Sequence, residues 1–368
     1  MNGFVKGMDL SSLLEVEERG GRFSDANGPG DAMEILRRHG MDLVRLRLWN
    51  DPYSETGEPY GAGTNDLTRT MTLARRAKAL GCDWMLDIHY SDFWADPGKQ
   101  TTPKTWRGMA LPELAEAVYA YTRDVLEALV REGLAPDMIA VGNELTYGLL
   151  WPVGRWPAME NIARLVSAGL AAAGEVCPAA ETVIHLDNGP DKGQYRAWFE
   201  GYFAAGGEDF DVIGMSYYPF WNGPITGLAQ SMADAAERFG KDVLVVETSM
   251  GYTLEDYAEY EKLGPEQRKG MAATAKLAEA IDYPMTRSGQ SRFIADLAAA
   301  IRAVPGGRGR GFVWWEPAWI PVPGSGWATE AALRYTGEKG PGGNEWANQA
   351  LFDYEGRALP ALETIRSL

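Results

Sequence analysis

The chain has 368 residues, of which 45% are hydrophobic and 23% are charged, a composition typical of a globular protein with a large core. Its formal net charge of −16 repels phosphate backbones and anionic lipids, so we expect no nucleic acid and no membrane surface among its partners. The sequence contains no stretch of about 20 apolar residues that would indicate a membrane span.

Short apolar segments alternate with longer amphipathic segments along the chain, a pattern typical of βαβ units and a parallel sheet. The short segments predict eight strands, at 4–10, 42–48, 84–89, 138–142, 182–187, 212–216, 243–246 and 311–315. The amphipathic segments predict helices at 30–39, 66–80, 112–132, 157–175, 194–204, 226–239 and 292–303, with a closing helix in the tail at 344–368.

Eight strands with intervening helices predict a single α/β domain over residues 1–368, folded as a (β/α)₈ TIM barrel. A doubly wound sheet is the alternative, and no Gly-x-Gly-x-x-Gly turn supports it. The long polar segment 253–289 is predicted to be an insertion over the barrel mouth.

Cysteine and histidine are rare in this sequence. Cys82 lies in an apolar segment, so a buried thiol is favoured there over a disulfide, and two cysteines, Cys82 and Cys177, in so long a chain are not typical of a disulfide-stabilised secreted module. The three histidines are His39, His89 and His185, and no metal-binding motif contains them. We therefore expect no metal and no cofactor. No Gly-x-Ser-x-Gly elbow supports a serine hydrolase.

Polar and aromatic side chains gather after the predicted strands, at the barrel face that carries the chemistry in such folds. Aromatic rings stack on the apolar faces of sugars, while Asn, Asp, His and Arg pair with sugar hydroxyls. A single exposed tryptophan is as easily a packing residue, but several on one predicted surface favour carbohydrate binding. These tryptophans are Trp49, Trp94, Trp151, Trp221, Trp315, Trp319 and Trp327.

Two glutamates stand at the ends of apolar strands. Glu144 follows the fourth strand and Glu247 follows the seventh, where a carboxylate is desolvated and needs a partner or a function. A structural ion pair with an arginine such as Arg45 is the alternative for each glutamate separately. Because these strands lie across the barrel from each other, the pair predicts a retaining glycosidase, in which two carboxyl groups flank the scissile bond.

The sequence resembles glycoside hydrolase family 53 of clan A, the endo-β-1,4-galactanases, nearly from end to end. The matching segments are KGMDLS at 6–11, VRLRLWNDP at 44–52, DIHYSDFWADPGKQ at 87–100, VGNE at 141–144, LWPVG at 150–154, SYYP at 216–219, VET at 246–248, WWEPAWIP at 314–321 and WANQALFD at 346–353. The resemblance implies hydrolysis of the β-1,4-galactan side chains of pectin with retention of configuration. Its partner would be a polysaccharide or a galacto-oligosaccharide.

The resemblance also implies roles for individual residues. Glu144 would be the acid/base and Glu247 the nucleophile. Asn143 would hydrogen-bond the 2-hydroxyl of the sugar at the cleavage point. Arg45 would hold the nucleophile ionised, and Tyr217 would contact it. Trp315 would form a stacking floor, and the remaining predicted substrate contacts are His89, Asp92, Trp94, Asp187, Asn188, Trp221 and Trp319.

One segment departs from the family pattern. Some bacterial members bind calcium in a long loop before the eighth strand, but the matching segment 282–290 has a single acidic residue and a basic one. The sequence therefore predicts no calcium there, and a different shape for the distal part of the groove.

Three other readings remain open: another clan A activity such as a β-mannanase or cellulase, a non-catalytic carbohydrate-binding barrel, and a metal hydrolase. We expect a monomer. If Met1 is the native start we expect a cytoplasmic protein, and a secreted protein whose signal peptide has been removed is the alternative.

Overall fold

A closed barrel of eight parallel strands forms the centre of the computed structural model, which describes residues 3–255, 257, 275–279, 281–339 and 342–368. Each strand pairs with its neighbours in chain order, and the last strand pairs with the first. The strands are β1 (Val5–Asp9), β2 (Leu43–Leu48), β3 (Asp83–Ile88), β4 (Met138–Val141), β5 (Glu181–Leu186), β6 (Val212–Tyr217), β7 (Asp242–Thr248) and β8 (Gly309–Trp314). The predicted (β/α)₈ barrel and its eight strands are confirmed.

Helices surround the barrel, and every predicted helix is present. The described helices are α1 (Leu13–Glu18), α2 (Ala32–Arg38), α3 (Leu67–Ala79), α4 (Leu111–Arg131), α5 (Met159–Val176), α6 (Lys192–Ala204), α7 (Pro219–Asn222), α8 (Ile225–Phe239), α9 (Ala275–Ala278), α10 (Arg287–Arg302), α11 (Glu330–Thr336) and α12 (Ala361–Ser367). Local signals set their ends: Asp66 accepts a 2.8 Å hydrogen bond from the Arg69 amide to cap α3, and Gly240 ends α8 in the left-handed conformation.

Short elements occupy the connections. Strands Phe23–Asp25 and Gly28–Gly30 form one antiparallel hairpin, and Gly148–Leu149 and Gly154–Arg155 form another. Single-turn 3₁₀ helices lie at Lys104–Trp106, Leu145–Tyr147, Pro305–Gly307 and Ala347–Gln349. None of the described helices combines the length and apolar character needed to cross a lipid bilayer.

The barrel interior has an apolar lower part and a polar upper part. Strand side chains alternate between the interior and the helices, so in β2 Leu43 joins the inner cluster whereas Val44 and Leu46 pack in the outer core. The inner apolar cluster consists of Val5, Leu43, Met85, Met138, Ala140, Val183, Val212, Leu244, Val246 and Val313. Arg45, two residues further along β2 than Leu43, lies above this cluster with no exposed surface.

A β-bulge in β7 changes this alternation near the barrel mouth. Gly214 pairs with Leu244, but Ser216 pairs with Glu247, so three residues of β7 span two residues of β6. Val246 belongs to the inner apolar cluster, and the bulge turns the next residue, Glu247, toward the interior as well.

The predicted insertion at 253–289 lies partly outside the described residues, because 256, 258–274 and 280 are not among them. Its position over the barrel mouth therefore stays a prediction. Tyr257 is buried, and its hydroxyl accepts a 3.2 Å hydrogen bond from the Asn344 amide. Cys82 is a buried free thiol, as predicted, and Cys177 is also buried and free.

Candidate active site

A cavity of about 430 Å³ opens where the barrel strands end at their carboxyl termini. Ten of the predicted site residues line it: His89, Trp94, Asn143, Glu144, Asp187, Asn188, Trp221, Glu247, Trp315 and Trp319. Lining residues outside the predicted set include Arg47, Asp96, Ser216, Tyr218, Trp327 and Trp346. The two glutamates thus share one cavity, as expected from the strands that they follow.

Glu144 is the third residue after β4 and has a left-handed backbone conformation. Its φ of 49° and ψ of 59° lie in the left-handed region, which turns the side chain back over the barrel. Its Oε1 lies 2.7 Å from Ser216 Oγ. Burial, together with the negative charges of Glu247 and Asp187, raises the pKa of Glu144 well above its ordinary value.

Glu247 has a more polar set of partners. Arg45 Nη2 lies 2.8 Å from its Oε1, and the Tyr218 hydroxyl donates a 2.9 Å hydrogen bond to its Oε2. Burial raises the pKa of Glu247 to about 7; Arg45 is the largest opposing influence, and Asp87 adds to the rise. Arg45 therefore lies beside this carboxylate as predicted and favours its ionised form, although burial outweighs it.

Arg45 is completely buried under the cavity floor and does not line the cavity. Its Nη1 contacts Asp9 Oδ2 at 2.8 Å, and its Nη2 contacts Asp87 Oδ2 and Asn143 Oδ1, each at 2.8 Å. Its predicted inclusion among the substrate contacts is therefore wrong: the alternation along β2 places it one layer below the cavity, where it links the carboxylates.

His89 and Asn143 have their polar atoms largely occupied by the protein. His89 Nε2 lies 3.0 Å from Asp87 Oδ2, and its Nδ1 accepts hydrogen bonds of 3.2 Å from Trp49 Nε1 and from the Ala95 amide. Because Nδ1 accepts from two N–H groups it carries no hydrogen, and burial lowers the pKa of His89, which also favours the neutral ring. The Asn143 amide group donates to the Ala95 carbonyl at 2.8 Å.

The predicted contact between Tyr217 and Glu247 is wrong. Tyr217 is the last residue of β6 and points outward, where its ring packs against Phe293 and its hydroxyl donates to the Gly223 carbonyl at 2.9 Å. The inward positions are Ser216 and Tyr218, and Tyr218 makes the contact with the glutamate.

Asp92 is also wrongly placed among the substrate contacts. It is buried in the loop after β3, where it accepts hydrogen bonds from the Lys104 amide at 2.7 Å and the Tyr335 hydroxyl at 3.1 Å. These contacts tie loops together behind the cavity. Trp49 is buried behind His89, and Trp151 packs under Arg155 outside the cavity, so neither of these tryptophans lines the groove.

Aromatic side chains form the walls of the cavity. Trp315 contacts Trp94 with ring centroids 5.9 Å apart and contacts Trp346 at 4.7 Å. Trp221 lies 5.6 Å from Trp346 and is 53% exposed, so it presents an open face at the rim. Trp346 belongs to the segment 346–353 of the family resemblance, but it follows no strand, and the strand-end rule does not find it.

Arg47 was also missed by the sequence reasoning. It lies in the same inward series as Arg45, and its guanidinium sits 4.4 Å from the Trp94 ring centroid. Glu316, which follows β8, contacts its Nη1 and fixes it in place. The arrangement gives the aromatic wall a rigid cationic support.

Asp187 and Asn188 line the cavity at the end of β5. Asp187 accepts hydrogen bonds from the Thr146 hydroxyl and from Gln194 Nε2. Asn188 has a left-handed backbone with φ of 50°, and its Oδ1 accepts a 3.3 Å hydrogen bond from Asn222. Both residues therefore line the cavity as predicted, and their contact with a substrate stays a prediction.

Among the described residues, no group of three or more His, Cys, Asp or Glu side chains could hold a metal ion. In the predicted calcium-free segment, Tyr283 is buried and packs against Phe293, and Thr286 caps α10 through a 3.1 Å hydrogen bond from the Gly289 amide. The absence of calcium from this protein stays a prediction.

The family described as Glycosyl hydrolase family 53 matches residues 5–365. An endo-beta-1,4-galactanase of Bacillus subtilis (strain 168) is 35% identical over 382 residues, which cover 99% of this chain and 85% of the relative. The Ignisphaera aggregans GH53 catalytic domain superposes with a TM-score of 0.90 at 38% identity, covering 99% and 95% of the two chains. A structure from a study of two fungal beta-1,4-galactanases gives 0.79 at 29% identity, with 98% of each chain covered.

Proposed function

Because the chain belongs to glycosyl hydrolase family 53, we propose that it is an endo-acting glycosidase that cleaves β-1,4-galactosidic bonds in galactan and in the arabinogalactan side chains of pectin. The proposed two-glutamate mechanism rests on the different surroundings of the two carboxyl groups. Glu144 and Glu247 share a cavity but have unlike partners, a neutral serine hydroxyl for Glu144 and a buried arginine for Glu247.

This asymmetry divides the roles of the two carboxyl groups. Arg45 and Tyr218 favour the ionised form of Glu247, which suits it to attack the anomeric carbon. Among the described residues no cation contacts Glu144, and burial beside other carboxylates favours its protonated form, which suits it to donate a proton. The two environments therefore separate a nucleophile from an acid.

The reaction then proceeds in two displacements. A Glu247 oxygen bonds to the anomeric carbon while the glycosidic C–O bond breaks and Glu144 donates its proton to the leaving oxygen. Water next attacks the anomeric carbon, Glu144 accepts a proton from that water, and the bond to Glu247 breaks. Two inversions leave the product with the configuration of the substrate.

The shape and composition of the cavity suit a neutral polysaccharide. Its walls are largely aromatic, with Trp94, Trp315 and Trp346 available for stacking on sugar rings. Asn143, Asp187 and Asn188 offer hydrogen-bonding groups between these walls. An endo-acting enzyme must bind several sugars at once, and the exposed Trp221 at the rim offers a further stacking surface.

The test is reducing-sugar release from β-1,4-galactan, β-mannan and cellulose, with and without a metal chelator. We expect activity on galactan alone, unchanged by the chelator. Activity confined to mannan or cellulose would contradict the proposed substrate, and loss of activity in the chelator would contradict a metal-free mechanism. Proton NMR of the first products tests the stereochemistry, because retention gives the β anomer before mutarotation. A Glu144→Gln, Glu247→Gln double variant controls for contaminating enzymes.

A further inference from the structure

A chain of hydrogen bonds runs from the buried Arg45 to Glu144 through Asn143, His185 and Ser216. Asn143 Oδ1 lies 2.9 Å from His185 Nδ1, His185 Nε2 lies 2.7 Å from Ser216 Oγ, and Ser216 Oγ lies 2.7 Å from Glu144 Oε1. His185 and Ser216 are buried. The orientation of the Asn143 amide, at one end of the chain, fixes the direction of each hydrogen bond.

The fixed end is Asn143. Its Oδ1 faces Arg45 Nη2 at 2.8 Å, and its Nδ2 faces the Ala95 carbonyl at 2.8 Å. In the reversed orientation the amide nitrogen would face the Arg45 guanidinium, which can only donate, and the amide oxygen would face the Ala95 carbonyl, which can only accept. Asn143 Oδ1 is therefore an acceptor, and His185 Nδ1 must carry a hydrogen.

His185 then presents an acceptor to Ser216. The ring is completely buried and close to the Arg45 charge, and both effects lower its pKa well below the ordinary value. A neutral ring with hydrogen on Nδ1 has a bare Nε2. The Ser216 hydroxyl must donate to this nitrogen, which leaves the Ser216 oxygen as an acceptor toward Glu144.

We propose that His185 and Ser216 are positioning residues that form a directed hydrogen-bond chain, which accepts a hydrogen bond from the protonated Glu144 and so stabilises this carboxyl group in its proton-donating form. The proposal rests on the proposed function only in naming Glu144 as the acid. Rotation about the Cγ–Cδ bond of Glu144, a soft torsion, presents the proton to the leaving oxygen.

The ionised form of Glu144 cannot satisfy the same chain. If Ser216 donates its hydroxyl hydrogen to the ionised carboxylate, the bare His185 Nε2 faces a lone pair of the Ser216 oxygen at 2.7 Å. If Ser216 donates to His185 instead, the carboxylate oxygen faces that lone pair at 2.7 Å. The surrounding charges act in the same sense, since Glu247, Asp187 and Asp96 face Glu144 from other elements. Three groups act on the charge of His185: Arg45 and His89 oppose protonation of the neutral ring, and Asp87 favours it.

The chain reverses the usual effect of a serine beside a carboxyl group, and this makes it testable. A serine that donates to a carboxylate lowers the pKa of the acid, so its removal raises that pKa. A serine that only accepts stabilises the protonated form, so its removal lowers the pKa. The two readings therefore predict shifts of opposite sign for Ser216→Ala.

The titration midpoint of Glu144, the pH at which it is half protonated, can be measured without turnover. The method is infrared spectroscopy of the C=O stretch of protonated carboxyl groups, recorded as a function of pH. The Glu144 contribution is the difference between the wild type and Glu144→Gln. We expect Ser216→Ala to lower the midpoint by roughly 0.5–1 pH unit, the size of one hydrogen bond. A raised or unchanged midpoint overturns the proposal, whatever the outcome of the galactan assay.

A second variant tests the direction of the chain. His185→Leu removes the acceptor and frees the Ser216 hydroxyl to donate to the carboxylate, so it too should lower the midpoint. In the Ser216→Ala background it should have no further effect, and an equal shift in both backgrounds would contradict coupling through Ser216. Ser231→Ala, at a buried serine in α8, is the matched control and should leave the midpoint unchanged. On galactan, the upper limb of the kcat/KM profile should move with the spectroscopic midpoint.

Discussion

The Tyr218 hydroxyl donates a 2.9 Å hydrogen bond to Glu247 Oε2, the oxygen that Arg45 leaves free. The neighbouring Tyr217 directs its own hydroxyl to the Gly223 carbonyl on the other side of the strand. Adjacent tyrosines on opposite faces of β6 thus provide a natural pair of variants, one that touches the nucleophile and one that does not.

Tyr218→Phe should raise the pKa of Glu247, because the ionised carboxylate loses a donor. The lower limb of the kcat/KM profile on galactan should move to higher pH, with a loss of about tenfold or more at acidic pH. Tyr217→Phe should leave the profile in place. Equal effects of the two substitutions would show that the contact with Glu247 has no catalytic weight.

Glu144→Ala and Glu247→Ala should each lose about 10³-fold or more in kcat, and azide should separate their roles. In Glu144→Ala, azide attacks the glycosyl-enzyme from the face that the leaving group vacated and gives a β-galactosyl azide. In Glu247→Ala, azide takes the place of the missing carboxylate and gives the α-azide. NMR of the products distinguishes the two, and the reverse pattern would exchange the assigned roles.

Arg45→Met should destabilise the protein strongly, because Asp9, Asp87 and Glu247 lose a guanidinium that contacts all three. Breaking such a buried network costs about 3–5 kcal/mol of unfolding free energy, measured by chemical denaturation. The lower limb of the activity profile should also move to higher pH. Arg310→Met is the control: Arg310 contacts Glu181 and Asp242 at the opposite end of the barrel, so only stability should change.

Trp221→Ala should raise KM for galactan up to about tenfold with a smaller effect on kcat, since a rim tryptophan stabilises the bound substrate and the transition state alike. Trp156 is 39% exposed and lies outside the cavity. Trp156→Ala should leave both constants unchanged. A fall in kcat at constant KM would place the Trp221 contact in the transition state instead.

Stability should depend on pH through the buried Glu316, whose pKa burial raises to about 7 from 4.5. The folded state binds this proton more tightly than the unfolded chain, so the contribution is fully present below the unfolded pKa and is lost as pH rises through about 7. The unfolding free energy of Glu316→Gln should therefore fall less than that of the wild type between about pH 5 and pH 8. Parallel curves from denaturant titrations would refute the shift.

The strands could be predicted because parallel strands buried on both faces read as short apolar segments. Glu144 and Glu247 followed from the rule that barrel chemistry lies at strand ends. The parity of side chains at those ends was harder to predict. Tyr217 and Tyr218 are equally plausible from sequence, and only the register of β6 against β7 decides which one faces Glu247.

The other differences between the predicted and the observed site have different physical causes. Asp92 follows a strand, but loop contacts with Lys104 and Tyr335 turn it away from the cavity. Trp346 enters the cavity from a segment far beyond β8, which no local pattern predicts. The direction of hydrogen bonds through His185 depends on three-dimensional neighbours, so residue spacing cannot supply it.

The left-handed backbone of Glu144 has a consequence for how this protein can change over time. A non-glycine residue with φ of 49° carries a conformational cost of about 1–2 kcal/mol that glycine would not. Glu144→Gly should therefore abolish hydrolysis while relieving backbone strain, so the protein gives up some stability at this position for the sake of catalysis. A single substitution would therefore give an inactive protein with a more stable fold, and selection for hydrolysis is what retains the glutamate.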